Sequence, residues 1–288
     1  MNLEFVRFKA TDGVELQGWL DKQSSELAVL HIHGMGGNGY ENYFLDNMRN
    51  MYKQLNISFF SIDNRGRGII SDFRQGSSWK HAGSCFEIFE ESVYDISGAI
   101  EFLKSQGITR IILQGHSIGC SKIVNYVVEK KPENIEMIIL LAPTDMIAWA
   151  NSDPDHEMNL IKAKQLLSEG RGEELVGAQC WPLDKTPLSA QSYLSKSEVG
   201  AAVDIYGVYD ENQAPISKIA QPMLIPYGTD DIGITHPFGN MDTFREKLSK
   251  IKNPMTELAT IQGSSHSFQG FEKEVTNVVE EFVVANRF

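Results

Sequence analysis

The sequence has little of several features that define specialised classes of protein. Its three cysteines, Cys85, Cys120 and Cys180, cannot all pair with one another, and their spacing matches no metal-binding motif. No apolar run approaches the roughly 20 residues that a membrane-spanning helix needs. Residues 1–5 lack a basic segment followed by an apolar one, so no signal peptide is expected. We therefore expect a protein of the reducing cytoplasm, with no metal site and no membrane span.

Positive charge is also scarce. The 288 residues include 26 Lys and Arg against 38 Asp and Glu, which gives a formal net charge of −12 at pH 7. Because an acidic surface repels phosphate groups, nucleic acid is not expected as a partner. The remaining composition, 42% hydrophobic and 22% charged, is typical of a globular protein. The length fits one α/β domain with an insertion.

Strand-like and helix-like segments alternate along most of the chain. The first is a predicted hairpin, with one strand on each side of Asp12 and Gly13. Short strand-like segments follow at 27–33, 57–62, 110–114 and 137–141. Between them, apolar residues recur with helical spacing. This alternation predicts an α/β fold in which a mostly parallel central sheet has helices on both faces.

The alternation breaks after Pro143 and resumes in the last quarter of the chain. Residues 144–221 contain helix-like stretches and little strand signal, so we predict that they form an insertion after the sixth strand. The core would then consist of residues 1–143 and 222–288. Pro226 lies within the predicted seventh strand, where a proline cannot donate a ladder hydrogen bond, so the register of that strand stays open.

Two glycine-containing motifs each lie between a predicted strand and a predicted helix. Gly34 to Gly39 match Gly-x-Gly-x-x-Gly, and Asp63 ends the next strand, which is the layout of a dinucleotide-binding site. Residues 115–119 match Gly-x-Ser-x-Gly, a tight turn that exposes the hydroxyl of Ser117. Either motif can arise by chance, so other residues of the chain are needed to distinguish a dinucleotide-binding site from a nucleophilic serine.

A nucleophilic serine requires a general base and an acid that orients that base. His266 follows the last predicted strand, and the strand before it runs into Asp230 and Asp231. Functional groups of open parallel sheets collect at the carboxyl ends of the strands. The order Ser, Asp, His, with each residue at the end of a strand, therefore favours a catalytic triad.

On these motifs the chain resembles the α/β-hydrolases over nearly its whole length. The resemblance depends on the segments 33–37, 63–68, 115–119, 228–231 and 263–266. It implies that Ser117 is the nucleophile, that His266 is the general base and that Asp231 is the orienting acid. In the family the acid comes three residues after the glycine, which favours Asp231 over Asp230.

The same resemblance gives the first glycine motif a different role. It implies that the backbone N–H groups of Met35 and Ile118 form the oxyanion hole. It also implies that the insertion 144–221 is a helical cap over the site. One interpretation then explains both glycine motifs, whereas a dinucleotide site would leave the triad unexplained.

The resemblance implies a cofactor-independent serine hydrolase that cleaves small-molecule carboxylic esters through an acyl-enzyme on Ser117. We expect the substrate to have an apolar acyl or alcohol part. A thioesterase or an acyltransferase on the same triad is one alternative. A second is an NAD-binding oxidoreductase that uses Gly34 to Gly39 and Asp63. A third is a non-catalytic ligand receptor built on the same fold.

Overall fold

An eight-stranded, mostly parallel sheet forms the centre of the fold. The computed structural model describes residues 3–177, 186–207, 214–251 and 253–287. In these residues the strands are β1 (Leu3–Lys9), β2 (Glu15–Asp21), β3 (Leu27–Ile32), β4 (Ser58–Asp63), β5 (Ser71–Gln75), β6 (Ser78–Ala82), β7 (Arg110–His116), β8 (Ile135–Leu141), β9 (Leu175–Gly177), β10 (Leu188–Ser189), β11 (Met223–Gly228) and β12 (Thr256–Ile261). The α-helices are α1 (Phe44–Gln54), α2 (Ser92–Ser105), α3 (Ile118–Lys130), α4 (Met146–Asn151), α5 (His156–Ser168), α6 (Ala190–Ser197), α7 (Ile232–Phe238), α8 (Met241–Ile251) and α9 (Glu272–Ala285).

The strand order of the central sheet confirms the predicted alternation. The order is β1-β2-β4-β3-β7-β8-β11-β12. The β1–β2 hairpin and the β2–β4 pair are antiparallel, and every other pair is parallel. All residues of β3 and β4 are buried, as expected for strands that helices cover on both faces. The carboxyl ends of the parallel strands therefore meet at one edge, where the predicted site residues lie.

The hairpin of β5 and β6 was not predicted from the sequence. The two strands pair antiparallel and lie outside the central sheet. Most of their side chains are exposed or half-exposed, and Phe73 and Ala82 are buried. Because so few apolar side chains face the core, the strands lack the regular alternation that identifies a half-buried strand in a sequence.

Pro226 is accommodated within β11 at the point where its ladder to β8 ends. Cα pairing with β8 covers Met223 and Leu224, whereas pairing with β12 continues through Pro226 to Gly228. The Pro226 carbonyl still accepts a hydrogen bond from the Ala142 N–H at 2.9 Å. The missing Pro226 N–H therefore interrupts only the hydrogen-bond ladder to β8, and pairing with β12 fixes the register of β11.

The segment that follows β8, the sixth central strand along the chain, contains a hydrophobic cluster of its own. The cluster joins buried residues of α4, α5 and α6 to Ile118 and Phe89. The segment also contains the short antiparallel pair β9–β10. Its last part packs into the main core through Ile205, Tyr206, Ala214, Ile216 and Ile219. The division into a core of 1–143 and 222–288 and a cap of 144–221 stays a prediction.

The two cysteines that the structure describes, Cys85 and Cys120, are free and buried. Cys180 lies outside the described residues. None of the helices given above is long and apolar enough to cross a membrane. In the same described residues, no group of three His, Cys, Asp or Glu side chains is placed to hold a metal ion.

Candidate active site

Ser117 occupies a strained turn between β7 and α3. Its backbone has φ 56° and ψ −129°, a combination that side-chain-bearing residues rarely adopt. Two backbone hydrogen bonds hold the turn: the Ser117 N–H donates to Leu141 O, and the Cys120 N–H donates to Ser117 O, both at 3.0 Å. The surrounding structure thus holds the serine in a conformation that presents its side chain to a cavity.

The glycines on either side of Ser117 are required by close packing. A Cβ atom at Gly119 would lie 2.3 Å from the Ile32 carbonyl oxygen. A Cβ atom at Gly115 would lie 2.7 Å from the carbonyl carbon of Gly119. Both distances are shorter than any contact a side chain tolerates, so the turn can form only with glycine at both positions. The Gly-x-Ser-x-Gly pattern is therefore a consequence of how tightly α3 approaches β3 and β7.

Asp231 and His266 are brought together at the ends of β11 and β12. The His266 Nδ1–H donates to Asp231 Oδ1 at 2.8 Å, and the Gly233 N–H donates to the same oxygen at 2.6 Å. Asp231 is fully buried at the start of α7, whereas the side chain of His266 is 23% exposed. Because Nδ1 carries the proton that binds the carboxylate, Nε2 is the basic nitrogen of the ring.

Asp230 lies apart from this pair. Its side chain is exposed, and its Oδ1 accepts a hydrogen bond from the Thr229 hydroxyl at 3.2 Å. The structure therefore places Asp231, and not Asp230, against His266.

The hydroxyl of Ser117 lies beside a residue that sequence reasoning missed. Ser117 Oγ is 3.3 Å from the Thr144 Oγ1, and among the described residues it makes no hydrogen bond to the His266 ring. Thr144 follows β8 and lines the same cavity as Ser117 and His266. Catalytic hydrogen bonds are often long or misaligned in the ligand-free state and tighten when a substrate binds. No local motif marks Thr144, because its position depends on the packing of β8 beside β7.

His116 holds the segment that carries His266. Its Nε2–H donates to the His266 carbonyl oxygen at 2.9 Å. Burial and, to a smaller extent, the nearby His266 ring lower the pKa of His116 to about 3, so the ring is neutral at pH 7. The residue before Ser117 therefore positions the loop of the predicted base. Its place in the Gly-His-Ser motif was visible in the sequence, but its partner was not.

The two predicted oxyanion donors flank Ser117. Met35 lies in the turn closed by the hydrogen bond from the Gly37 N–H to Gly34 O, at 3.3 Å, and that turn does not use the Met35 N–H. Ile118 is the first residue of α3, so its N–H has no acceptor within the helix. Both N–H groups are thus available to an oxygen bound next to Ser117.

His33 supports the Met35 turn from below. Its Nδ1–H donates to Gly34 O at 2.8 Å, and its Nε2 accepts from the Asn64 N–H at 3.1 Å. Burial lowers the pKa of His33 to about 4, which keeps the ring neutral. The histidine thus fixes the peptide between Gly34 and Met35, and that peptide carries the Met35 N–H.

Asp63, the residue that a dinucleotide site would place on a ribose, is buried and fully engaged. Its Oδ1 accepts from the Gly39 N–H at 2.8 Å, and its Oδ2 accepts from Gln17 Nε2 at 2.8 Å and from Arg67 Nη1 at 3.1 Å. Oδ1 therefore ties the end of the Gly34 to Gly39 loop to β4, and Oδ2 is occupied by Gln17 and Arg67, so neither oxygen is presented to a ligand.

A cavity of about 300 Å³ contains these groups. Its walls are formed by Gly34, Met35, Glu41, His116, Ser117, Thr144, Met146, Trp149, Ile232 and His266. Met146 and Trp149 come from α4, within the predicted cap. The wall therefore combines apolar side chains from the cap with polar groups from the strand ends. Such a surface suits a small ligand with an apolar part and one reactive polar group.

A buried charge network lies beneath this edge of the sheet. The Lys122 ammonium donates to Glu87 Oε1 and, at 3.0 Å, to Asn64 Oδ1. Lys196 Nζ, on α6, donates to the backbone oxygens of Ser84 and Glu87, both at 3.0 Å, and lies 3.7 Å from Glu87 Oε2. The side chains of Glu87, Lys122 and Lys196 are fully buried. One carboxylate thus joins a core helix to a helix of the predicted cap.

The protonation of this network follows from its geometry. Burial alone would raise the pKa of Glu87, but the ammonium groups of Lys122 and Lys196 bring it below its usual value. Burial lowers the pKa of Lys196, and the carboxylate of Glu87 opposes that effect. The Glu87 carboxylate therefore supplies the negative charge that compensates the positive charges of Lys122 and Lys196.

We expect Glu87→Gln to lower the free energy of unfolding by about 3–5 kcal/mol, because it leaves two buried ammonium groups without an anion. The triple variant Glu87→Met, Lys122→Met, Lys196→Met should regain part of that loss, since it removes the buried charges together. Urea unfolding followed by circular dichroism measures both. Glu133→Gln, at an exposed glutamate, is the control and should stay within about 0.5 kcal/mol of the parent. A Glu87→Gln value equal to that control would contradict the expectation.

Comparison with known proteins relates most of the chain to one family. The family described as "Protein of unknown function (DUF1749)" matches residues 62–285. No curated protein matches the sequence. The matched part includes the predicted nucleophile, acid and base, but begins after the Met35 turn.

Solved structures similar to this chain include several hydrolases. Est1E from Butyrivibrio proteoclasticus, solved with ferulic acid bound, is 19% identical, with a TM-score of 0.66 over 97% of this chain and 98% of that chain. The α/β hydrolase GrgF from Penicillium sp. sh18 is 14% identical, with a TM-score of 0.69 over 99% of both chains. A monoacylglycerol lipase from Paleococcus ferrophilus is 17% identical, with a TM-score of 0.61 over 99% of this chain and 100% of that chain. At these identities the similarity establishes the fold, and it confirms the predicted α/β-hydrolase fold.

Proposed function

Because the chain belongs to the DUF1749 family and has the α/β-hydrolase fold, we propose that it is a serine hydrolase that cleaves carboxylic esters. Ser117 would be the nucleophile, His266 the general base and Asp231 the acid that orients the base. The N–H groups of Met35 and Ile118 would stabilise the oxyanion. No cofactor takes part in this scheme.

The observation that carries the proposal is the pairing of a buried carboxylate with His266 at the edge of the Ser117 cavity. Asp231 accepts from His266 Nδ1 at 2.8 Å, and both His266 and Ser117 line the cavity. A carboxylate in this place fixes the ring tautomer and stabilises the imidazolium that forms when the ring takes a proton. A receptor has no need for this pair, which makes catalysis the better explanation.

The reaction would begin with a rotation of the Ser117 side chain from Thr144 toward His266. Nε2 of His266 takes the hydroxyl proton while Oγ attacks the ester carbonyl, and the oxyanion accepts hydrogen bonds from Met35 and Ile118. His266 then gives the proton to the departing alcohol, which leaves an acyl-enzyme on Ser117. Water, deprotonated by the same ring, releases the acid and restores the serine.

The cavity also supports a small substrate with an apolar part. Met35, Met146, Trp149 and Ile232 provide apolar wall on several sides of the serine. Two of these four come from α4, so we propose that residues 144–221 act as a cap that forms part of the substrate site. Similar structures include one with ferulic acid bound and a monoacylglycerol lipase, so esters of aromatic acids and monoacylglycerols are the first classes to compare.

Labelling with a fluorophosphonate tests the proposal without knowledge of the substrate. The reagent bonds to activated serines, so we expect one adduct per chain, located on Ser117 by peptide mapping. His266→Ala should abolish the adduct, because an unassisted serine hydroxyl is a weak nucleophile. Failure of the folded parent protein to form any adduct would count against the proposal and favour a receptor function.

A thioesterase or an acyltransferase would use the same groups. Assay of an oxygen ester and a thioester with the same acyl group, each with and without an added alcohol, separates these activities. Faster cleavage of the thioester would favour a thioesterase, and product formed on the added alcohol would favour an acyltransferase. The engaged carboxylate of Asp63 gives no support to a nicotinamide cofactor site.

A further inference from the structure

Glu41 is the one carboxyl group among the residues that line the Ser117 cavity. It lies in the loop before α1, and the other wall residues are apolar, small, hydroxylic or histidine. A Cβ atom at Gly37 would lie 2.3 Å from Glu41 Oε1. The carboxyl group is therefore folded against the turn that carries Met35, and it needs glycine at position 37 to lie there.

Within the part of the chain that the structure describes, Glu41 has no lysine or arginine partner, unlike two other carboxylates near this edge of the sheet. Asp63 is paired with Arg67, and Glu87 with Lys122. Among the described residues no lysine or arginine pairs with Glu41, and its polar contacts are with Asn38, through the side-chain amide at 3.4 Å and a backbone hydrogen bond. Glu41 is exposed to solvent as a residue, and the partial burial of its carboxyl group raises its pKa.

A charged side chain in this cavity interacts electrostatically with any ligand that binds there. A sphere of about 300 Å³ is roughly 8 Å across, about one Debye length at physiological ionic strength, so salt screens the interaction only in part. The carboxylate repels the negative charge that develops on the carbonyl oxygen during ester hydrolysis. The carboxylate attracts a positively charged group on the substrate, and that group also offsets the repulsion between Glu41 and the developing oxyanion.

We propose that Glu41 makes the site selective for esters that carry a positively charged group, such as an ammonium, close to the ester bond. The inference rests on the proposed ester hydrolysis and adds its substrate class. The apolar wall binds the hydrocarbon part of the substrate, and the Glu41 carboxylate binds the cation. Glu41 does not touch the reacting atoms and is a specificity residue.

Two esters that differ in one atom test this selectivity. A choline ester and the 3,3-dimethylbutyl ester of the same acid have nearly the same shape, but only the first carries a positive charge. We expect kcat/KM to be about three- to fivefold higher for the choline ester, the range of a partly exposed ion pair. The preference should decrease at high salt.

Glu41→Gln should bring the two kcat/KM values close together and raise the value for the neutral ester, because it removes the repulsion of the oxyanion. Asp46→Asn removes the same charge from the exposed face of α1, outside the cavity, and should leave the preference unchanged. Equal kcat/KM values in the parent protein, or a preference that survives Glu41→Gln, would overturn the inference. Fluorophosphonate labelling of Ser117 separates this failure from failure of the proposed function, since labelling requires an activated serine and no positive charge on the reagent.

Discussion

Replacing Ser117 with alanine should lower kcat for ester hydrolysis by roughly 10⁵–10⁶, the loss seen when a serine hydrolase is deprived of its nucleophile. The alanine side chain leaves the cavity and the oxyanion donors in place, so the variant should still bind substrate. The activity that remains would come from substrate binding and the oxyanion hole alone. Steady-state hydrolysis of whichever ester the parent protein cleaves fastest, with parent and variant compared side by side, measures the change.

Ser121→Ala is the matched control for this variant. Ser121 lies on α3 one turn beyond Ser117 and is fully buried, and its hydroxyl has no hydrogen-bond partner among the residues that the structure describes. Removing that hydroxyl should leave kcat unchanged. A Ser117→Ala protein that keeps its circular dichroism spectrum and most of its activity would exclude the acyl-enzyme mechanism.

Replacing Asp231 with asparagine should lower kcat by about 10⁴, with little change in stability. Asparagine keeps an oxygen for the Gly233 N–H, so the start of α7 is preserved. It lacks the charge that stabilises the His266 imidazolium, and it allows the ring to adopt the wrong tautomer. The expected loss corresponds to about 5.5 kcal/mol of transition-state stabilisation.

Asp230→Asn provides the direct comparison, because the two aspartates are adjacent and only Asp231 contacts His266. We expect Asp230→Asn to retain the kcat of the parent. The pH dependence of kcat/KM for both variants shows whether the affected step needs His266 as a base. Equal losses in the two variants, or a larger loss in Asp230→Asn, would transfer the role of orienting acid away from Asp231.

Local chemistry made much of the site predictable. Ser117 must adopt a positive φ between two backbones in close contact, so the glycines around it appear as a motif. Strand ends of a parallel sheet share one edge, so the order of Ser117, Asp231 and His266 along the chain indicated a common site. These features depend on residues close in sequence or on a general property of the fold.

The residues that sequence reasoning missed depend on contacts between distant segments. Thr144 meets Ser117 because β8 lies beside β7, and His116 meets the His266 carbonyl across the sheet edge. Glu87 gathers lysines from α3 and α6 in one buried network. In the sequence Thr144 and Glu87 are common polar residues with no motif around them, and the motif that contains His116 does not indicate its partner. The β5–β6 hairpin escaped prediction for a related reason, since few of its side chains are buried.

The amino-acid sequence by itself determined the central sheet, the turn at Ser117 and the order of the predicted triad, because periodicity and glycine placement are local properties. Only the tertiary structure decided that Asp231 rather than Asp230 faces His266, that both carboxylate oxygens of Asp63 are hydrogen-bonded within the fold, and that Glu41 lines the cavity. These choices depend on the direction in which a side chain points. Packing against residues far away in the sequence sets that direction, and no local pattern records it.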